Sequence, residues 1–158
     1  YVLLRQDGMR AMMPVFNIER LGNASRCYAY GTLALQLAAD HMRARRAATG
    51  TLADKQGLQW KLADMRLALE AAKLLIYQAA TQLTDGTPDP LNASMAKLSA
   101  NEASFAAVDQ ALQIFGGYGF TSDSPLDYLF KRTRGWMIAG GSVESLRHRI
   151  AREVLRTS

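Results

Sequence analysis

Apolar residues recur at helical spacing along most of the chain, and the clearest stripe runs from Leu58 to Leu83. Its members follow one another at alternating intervals of four and three residues: Leu58, Leu62, Met65, Leu69, Ala72, Ile76, Ala79 and Leu83. This spacing predicts an amphipathic helix of about seven turns. The helix should end at Asp85-Gly86 and the 87–90 segment that follows, because glycine suits a helix C-cap and proline cannot continue a helix.

A long helix is predicted before this segment, from about Asn17 to Arg46. Its core-facing residues are Leu21, Ala24, Tyr28, Leu35, Ala38 and Met42. An extra helical turn is expected between Met9 and Phe16, where Pro14 either kinks or starts the helix.

A third long helix follows the prolines. Asp89 is its expected N-cap, Pro90 occupies the first helical position, and the glycines after Phe115 stop it. Its apolar stripe consists of Leu91, Met95, Leu98, Phe105, Leu112 and Phe115.

Two shorter helices complete the pattern. Ser124-Pro125-Leu126 starts one that runs to about Arg134. Ser142 is the expected N-cap of the last helix, which turns Leu146, Ile150 and Val154 toward the core. The fold class predicted from these elements is all-α, an antiparallel four-helix bundle with a short additional helix.

Composition excludes several classes of protein. Hydrophobic residues make up 49% of the 158-residue chain and charged residues 21%, which is typical of a globular domain. Cys27 is the only cysteine, so no internal disulfide is expected, and two histidines leave no cluster for zinc; we expect no metal. No apolar run reaches membrane-spanning length. No signal peptide is expected, since the apolar 1–4 segment is short and Arg5 ends it.

The net charge of +5 is concentrated near the end of the chain. Between Lys131 and Arg156 there are seven positive and two negative residues. This pattern indicates either a solvated helix face or a contact surface for phosphates or an acidic partner. Nucleic acid is not expected as a partner, because the chain has neither a recognition motif nor an aromatic stacking platform.

Three short motifs can carry chemistry. The glycine-rich 115–120 segment, Phe-Gly-Gly-Tyr-Gly-Phe, is either a tight turn or a place where the backbone approaches a ligand. Gly140-Gly141-Ser142 opens a helix, whose free N–H groups form either an ordinary cap or an anion site. Glu19-Arg20 is either a surface ion pair or a base beside a cation.

Taken together, these segments resemble the C-terminal domain of the acyl-CoA dehydrogenase family. The strongest match is the 111–120 segment Ala-Leu-Gln-Ile-Phe-Gly-Gly-Tyr-Gly-Phe, followed by Pro125-Leu126 and the 131–134 segment Lys-Arg-Thr-Arg. The 52–56 and 62–65 segments and the ending at 150–155 also match. The resemblance runs from about Gly8 to Leu155.

The resemblance implies a three-domain flavoenzyme, of which this chain holds the tail end of a preceding linker or β domain (1–16) and the helical bundle (17–158). The chain begins without Met, as a fragment of a longer protein would. Members of the family remove the α-proton of an acyl-CoA and pass the β-hydride to FAD, which an electron-transfer flavoprotein reoxidises. They are homo-oligomers, usually tetramers, without a membrane anchor. The implied compartment is the bacterial cytoplasm, which is favoured, or the mitochondrial matrix.

The same resemblance assigns residues to FAD. Arg46 matches an arginine that meets the FAD pyrophosphate of a neighbouring subunit, although Thr49 stands where the family has Phe and the loop to Gln56 is one residue shorter. Gln56 and Gln113 match glutamines near the adenosine half. Gly116 and Gly117 match glycines that the cofactor approaches, Ser142 matches a threonine that contacts FAD, and Glu144 is a polar position two residues on.

The largest departure concerns the catalytic base. The family commonly has Tyr-Glu-Gly-Thr where this chain has Ala139-Gly140-Gly141-Ser142. A minority, including isovaleryl-CoA-type and long-chain-type enzymes, carries a glutamate directly before the arginine of the first helix, which makes Glu19 the expected base. Arg20 is then a substrate-side cation and Asn17 a contact to the pantetheine arm.

Gly140 keeps a role in this interpretation, because its N–H can still bind the thioester carbonyl. The missing side chains predict a roomier pocket for a branched or cyclic acyl group. Two alternatives stay open: a non-catalytic subunit or helical oligomerisation module of the same fold, and a flavin-dependent oxidase or monooxygenase. The isolated chain is expected to be inactive and to self-associate.

Overall fold

The computed structural model describes residues 8–156, with the side chains of Met9 and Arg10 left out. The sequence interpretation of Tyr1–Leu4 and Arg5 therefore lies outside the described residues. The helices are α1 (Gly8–Ala44), α2 (Gln56–Thr81), α3 (Pro90–Phe115), α4 (Pro125–Trp136) and α5 (Val143–Arg156). Short 3-10 turns at Leu52–Asp54 and Gly116–Phe120 and a two-stranded hairpin, β1 (Leu83–Thr84) with β2 (Thr87–Pro88), connect them.

Residue pairs between α1, α2 and α3 show how these helices run. His41 near the end of α1 stacks on Phe115 at the end of α3, with ring centroids 4.2 Å apart, so the two helices are parallel. Gln78 near the end of α2 donates a hydrogen bond to Asn92 near the start of α3 (3.2 Å), so these two are antiparallel. The chain therefore runs up, down and up.

Helix α4 packs against α1 and α3, and α5 packs against α3. Tyr30 of α1 meets Tyr128 of α4 edge to face, and Phe105 of α3 meets Phe130 of α4. Arg147 of α5 forms an ion pair with Glu102 of α3. The predicted all-α fold class is confirmed: α1, α2, α3 and α5 form the bundle, and α4 is the short additional helix.

The core is built mainly from small residues, which the sequence interpretation did not predict. The expected stripe of α3 is only partly buried, whereas its fully buried positions are mainly alanines, serines, Asn101 and Lys97. Helix α3 lies at the centre and contacts all four other helices. Small side chains there allow the neighbouring backbones to approach closely, and Gly31 of α1 packs directly against Ser104.

Helix starts and ends differ from the predictions where tertiary contacts decide them. Helix α1 begins at Gly8 rather than near Asn17 and continues through Pro14. Helix α2 ends at Thr81, and the expected C-cap pair Asp85-Gly86 instead forms the turn of the hairpin, with φ of 51° and 75°. Val154 was expected to face the core, but it is 62% exposed.

Within residues 8–156, no helix has both the length and the apolar character that crossing a bilayer requires. The same residues contain no cluster of three or more His, Cys, Asp or Glu side chains able to hold a metal ion.

Candidate functional site

The site residues predicted from the sequence fall into two groups in the structure. The flavin-end group lies where α1 and α3 end and α2 begins, and it consists of Arg46, Gln56, Gln113, Gly116 and Gly117. The turn group lies near the first third of α1 and the connection from α4 to α5, and it consists of Asn17, Glu19, Arg20, Gly140, Ser142 and Glu144. Eighteen residues of α3 separate Lys97, beside the turn group, from Phe115, so the groups are about 27 Å apart.

The loop after α1 is ordered by its own hydrogen bonds, which positions the two exposed side chains Arg46 and Gln56. Arg46 pairs with Thr51 as an antiparallel bridge. The Asp54 carboxylate accepts hydrogen bonds from the Thr51 backbone N–H (2.6 Å) and hydroxyl (3.0 Å). These hydrogen bonds lower the pKa of Asp54. The loop therefore holds the Arg46 guanidinium and the Gln56 amide in fixed positions.

Thr49 takes part in the same loop. Its backbone carbonyl and its hydroxyl accept hydrogen bonds from Lys55 Nζ, at 3.0 and 2.8 Å. A polar bridge therefore closes the loop at this position.

The glycine-rich turn after α3 is open to a ligand. Gly116 has a φ of 65°, and a Cβ atom at Gly116 or Gly117 would meet no atom within 4 Å. The exposed Gln113 lines a cleft of about 460 Å³ together with these glycines and with Phe120 and Phe130. This volume lies in the range of ligand pockets.

An aromatic stack supports this turn, and the sequence interpretation did not assign it. Phe115 lies between His41 and Tyr118, with ring centroids 4.2 and 6.2 Å away. Burial, and then the charge of Arg45, lower the pKa of His41. The only signal in the sequence was the place of His41 in the last turns of the first helix, which does not show what the ring contacts.

In the turn group, Glu19 forms an ion pair along α1 itself. Its carboxylate pairs with Arg26 at 3.2 Å, and 47% of the side chain is exposed. The Arg26 guanidinium lies 5.3 Å from the centre of the Trp136 ring. Trp136 ends α4, four residues before Gly140. Arg26 therefore links the predicted base to the end of α4, from which the turn that carries Gly140 continues.

Arg20 projects toward the same turn from the buried side of α1. It donates a hydrogen bond to Asn17 Oδ1 (3.0 Å), and its guanidinium lies 3.7 Å from where a Cβ atom of Gly141 would be. Burial, and then the charge of Arg149, lower the pKa of Arg20.

Gly140 and Gly141 both adopt positive φ, at 70° and 103°, a region that L side chains rarely adopt. A Cβ atom on Gly140 would lie 3.6 Å from Lys97 Cε and 3.9 Å from Asn23 Nδ2. An L side chain at position 140 would be strained in this backbone conformation.

Lys97 holds this turn, and the sequence interpretation missed it. The residue is fully buried, and its ammonium donates hydrogen bonds to the carbonyls of Gly141 (2.8 Å) and Trp136 (3.2 Å). Burial lowers the pKa of Lys97 to about 8. The available signal was a lysine among alanines and serines on a central helix, which becomes informative only once the small-residue face is known to be the buried one.

Ser142 caps α5 as predicted. Its hydroxyl oxygen accepts a hydrogen bond from the Ser145 N–H at 3.4 Å, and its carbonyl accepts one from the Leu146 N–H at 3.0 Å. Glu144 is exposed, and hydrogen bonds from its own backbone N–H and from Ser142 lower its pKa.

The basic region at residues 131–156 shows several ion pairs. Lys131 pairs with Asp127 at 2.8 Å, Arg156 with Glu153 at 3.6 Å, and Arg147 with Glu102. These contacts favour the solvated-face interpretation over a phosphate-binding surface.

Comparison with known proteins shows which family and which proteins this chain resembles. A family model described as "Acyl-CoA dehydrogenase, C-terminal domain" matches residues 6–155. The chain is 35% identical over 150 residues to the 3-sulfinopropanoyl-CoA desulfinase of Paraburkholderia xenovorans, covering 95% of this chain and 38% of that protein. It is 38% identical over 159 residues to the mitochondrial short-chain specific acyl-CoA dehydrogenase of Sus scrofa, covering 98% and 38%.

Among solved structures, the butyryl-CoA dehydrogenase of Megasphaera elsdenii superposes with a TM-score of 0.91 at 28% identity. The match covers 96% of this chain and 40% of that one. The chain thus spans about two fifths of the length of the proteins it matches.

Proposed function

Because the chain belongs to the acyl-CoA dehydrogenase family, as its C-terminal domain, we propose that the protein carrying it catalyses the FAD-dependent α,β-dehydrogenation of an acyl-CoA thioester. The observation that carries the proposal is the turn group. Arg20 of α1 lies beside the Gly140-Gly141 turn, and Lys97 fixes that turn through two hydrogen bonds. Glu19 pairs with Arg26, whose guanidinium lies on the Trp136 ring at the end of α4. A cation and the backbone N–H of Gly140 thus lie at this turn, and the Glu19 carboxylate is linked to it through Arg26 and Trp136.

The flavin-end group fits the adenosine half of FAD. Gly116 and Gly117 leave their backbone uncovered, Gln113 lines the adjoining cleft, and Arg46 offers a guanidinium suited to a pyrophosphate. FAD, when bound, accepts the β-hydride of the substrate. Since the two groups are about 27 Å apart along α3, we infer that Arg46 and its neighbours hold the cofactor of a second copy.

In this mechanism the N–H of Gly140 donates a hydrogen bond to the thioester carbonyl, which stabilises the negative charge that develops on that oxygen. Glu19 accepts the α-proton on its carboxylate. Arg26 orients that carboxylate beside the end of α4, and Lys97 keeps the Gly140 turn in place. Arg20 and Asn17, joined by a hydrogen bond, face the substrate.

The substitution Glu19→Gln tests the assignment of the base. The amide keeps the shape of the side chain but cannot accept the proton, so flavin bleaching by substrate should slow by about 10²–10⁴-fold. Stopped-flow absorbance of the holoprotein measures it. Glu153→Gln, at an acid of α5 that also pairs with an arginine and is similarly exposed, is the matched control. A Glu19→Gln protein that reduces its flavin at the wild-type rate would exclude Glu19.

A second candidate function is cleavage of a carbon–sulfur bond in a sulfinoacyl-CoA. It is favoured by the glycine at position 140, where the family usually has a carboxylate, and by the desulfinase that is 35% identical to this chain. Release of sulfite from 3-sulfinopropanoyl-CoA without an external electron acceptor would support it. Flavin bleaching by saturated acyl-CoA thioesters without sulfite chemistry would support the dehydrogenase.

The oligomer and the electron acceptor are also proposals. Helix α2 exposes Trp60, Leu67 and Leu74 at intervals of seven residues, which places them along one face. We propose that this face contacts a second copy of the chain and that an electron-transfer flavoprotein reoxidises the flavin. Relatives from a bacterium and from mitochondria agree with the bacterial cytoplasm or the mitochondrial matrix as the compartment.

A further inference from the structure

Three exposed arginines lie in the last turn of α1 and directly after it, and two of them have no acidic partner. Arg43 pairs with Asp40 at 2.7 Å. Within residues 8–156, neither Arg45 nor Arg46 forms an ion pair with a carboxylate. Arg46 belongs to the flavin-end group, whereas Arg45 has no role in the proposed function.

The carboxylates at this end of the bundle are engaged by other groups. Besides its ion pair with an arginine of the same turn, Asp40 accepts hydrogen bonds from Gln36 at 3.0 and 3.1 Å. Asp54 accepts hydrogen bonds from the N–H and the hydroxyl of Thr51. The guanidinium of Arg45 is therefore available to an anion from outside this chain.

The backbone of Arg45 is fixed on both sides. Its N–H donates a hydrogen bond to the carbonyl of His41 (2.8 Å), which continues the helical pattern past the end of α1. Its carbonyl accepts a hydrogen bond from the N–H of Leu52 (3.0 Å), which ties it to the loop after α1. Arg46 is held in the same loop by its bridge to Thr51. A residue on an ordered backbone loses less conformational entropy when it binds a ligand.

Arg45 shares one face of α1 with the side chain that contacts the glycine-rich turn. It follows His41 by four residues, so the two side chains are neighbours on the helix surface. The His41 ring stacks on Phe115 with ring centroids 4.2 Å apart. Phe115 directly precedes Gly116 and Gly117, where an added Cβ atom would meet nothing within 4 Å. The end of α1 that carries Arg45 therefore lies beside the turn where the proposed function places the adenosine half of FAD.

The cleft next to this turn is acidic, which bears on where phosphate groups can lie. Asp109 and Asp127 line the cleft of about 460 Å³ together with Gln113 and the glycines. Asp127 pairs with Lys131 at 2.8 Å, whereas within residues 8–156 the exposed Asp109 forms no ion pair. A pyrophosphate inside the cleft would meet these carboxylates, whereas one at the end of α1 meets guanidinium groups. The charges therefore favour the base and ribose in the cleft and the phosphates at the end of α1.

We propose that Arg45 is a second cation for the FAD pyrophosphate and binds it together with Arg46. The inference rests on the proposed function, which places the FAD of a second copy at this end of the bundle. A pyrophosphate carries a negative charge on each phosphate, and a guanidinium matches phosphate oxygens through paired N–H donors. Arg46 alone would leave one of these charges uncompensated, and Arg45 is an adjacent cation without an acidic partner.

The rate at which FAD leaves the flavin-loaded protein tests this assignment without an activity assay. The rate is followed by the fluorescence of released flavin after dilution. In Arg45→Met it should rise at least tenfold, because a charge-assisted contact to a phosphate is lost. Arg43→Met, at the paired arginine two residues earlier, is the matched control and should release FAD at the wild-type rate.

Salt dependence distinguishes a phosphate contact from a packing contact. Because salt screens exposed charges, the release of FAD from the wild-type protein should accelerate between about 0.05 and 0.5 M sodium chloride. The acceleration should be smaller in Arg45→Met, which has one charge fewer at the phosphates. Arg45→Lys keeps the positive charge, so it should retain the salt dependence and release FAD more slowly than Arg45→Met.

The outcomes separate this inference from the proposed function. An Arg45→Met protein that releases FAD no faster than Arg43→Met would overturn the assignment of Arg45 and leave the binding of FAD standing. Equal release rates and equal salt dependence in Arg45→Met and Arg45→Lys would exclude a charge contact and also overturn it. A wild-type protein that holds no FAD would overturn the proposed function and this inference together.

Discussion

A lysine with no exposed surface is the residue on which the candidate site most depends. Lys97 donates to the carbonyls of Trp136 and Gly141, one at each side of the turn that carries Gly140. The two carbonyls compensate only partly for the hydration that the ammonium loses. The pKa of Lys97, which burial lowers to about 8, shows the remaining cost. The turn is therefore held by a charge that is costly to bury.

The substitution Lys97→Met should reveal this cost in the pH dependence of stability. The pKa of about 8 in the folded chain lies below the ordinary lysine value of 10.5, so between these values the unfolded chain binds more protons than the folded one. The free energy of unfolding of the wild-type chain should therefore rise relative to that of Lys97→Met across this window, by about 1–3 kcal/mol. Denaturant titrations between about pH 7.5 and 10.5 measure this difference in the free energy of unfolding.

Two groups near Lys97 bear on that measurement. Burial raises the pKa of Cys27 to about 12, so titration of this thiol lowers the free energy of unfolding at high pH in both proteins. The positive charge of Arg20 adds to burial in lowering the pKa of Lys97. Comparing the two proteins at each pH removes most of the cysteine contribution. Lys73→Met, at a partly exposed lysine of α2, should follow the wild-type pH dependence. A constant difference between wild type and Lys97→Met would contradict the lowered pKa.

At the scale of the elements, the contact between α1 and α3 depends on Gly31. A Cβ atom on this residue would lie 2.6 Å from Leu69 Cδ2 and 2.9 Å from the Ser104 Cα atom, which is backbone. Gly31→Ala should therefore push the two helices apart and lower the free energy of unfolding by about 1–3 kcal/mol.

Gly57, near the start of α2, offers the matched control for this prediction. A Cβ atom on Gly57 would meet nothing within 4 Å, so Gly57→Ala should be neutral or stabilise the helix by up to about 1 kcal/mol. Denaturation midpoints of the two variants measure both effects. A Gly31→Ala variant as stable as Gly57→Ala would contradict the close approach of α1 and α3 at this residue.

Helix starts were predicted correctly where a local cap determines them. Asp89 accepts hydrogen bonds from the N–H groups of Leu91 and Asn92, both at 3.0 Å, and Ser124 accepts one from Leu126 at 3.2 Å. The predicted end of α2 was wrong, because the residues after Thr81 form the hairpin instead of continuing the helix. A cap is a property of neighbouring residues, whereas this competition involves packing against the rest of the fold.

At the scale of the whole molecule, the apolar face of α2 remains without a covering element in the described chain. Trp60, Leu67 and Leu74 are 62–73% exposed, and exposed apolar faces of this kind mark contact surfaces. The chain should therefore form dimers or tetramers in solution.

Leu67→Glu tests this association by placing a charge in the middle of the face. It should weaken self-association at least tenfold in sedimentation equilibrium, because a buried unpaired carboxylate is costly. Ser122→Glu adds the same charge in the loop before α4 and should associate as the wild type does. A wild-type chain that stays monomeric at high concentration would contradict the proposed contact surface.

The sequence by itself determined the helix spacing, the caps and the family, because these depend on residues that are near one another in the chain or on an ordered set of motifs. It also brought forward Glu19, Arg20 and Gly140 as candidates for one site, which stays a prediction. Only the tertiary structure decided that small residues fill the core and that Lys97 holds the turn. Those features arise where α1, α3 and the turn after α4 meet, and no spacing within a single helix encodes which side chains of distant segments share a buried volume.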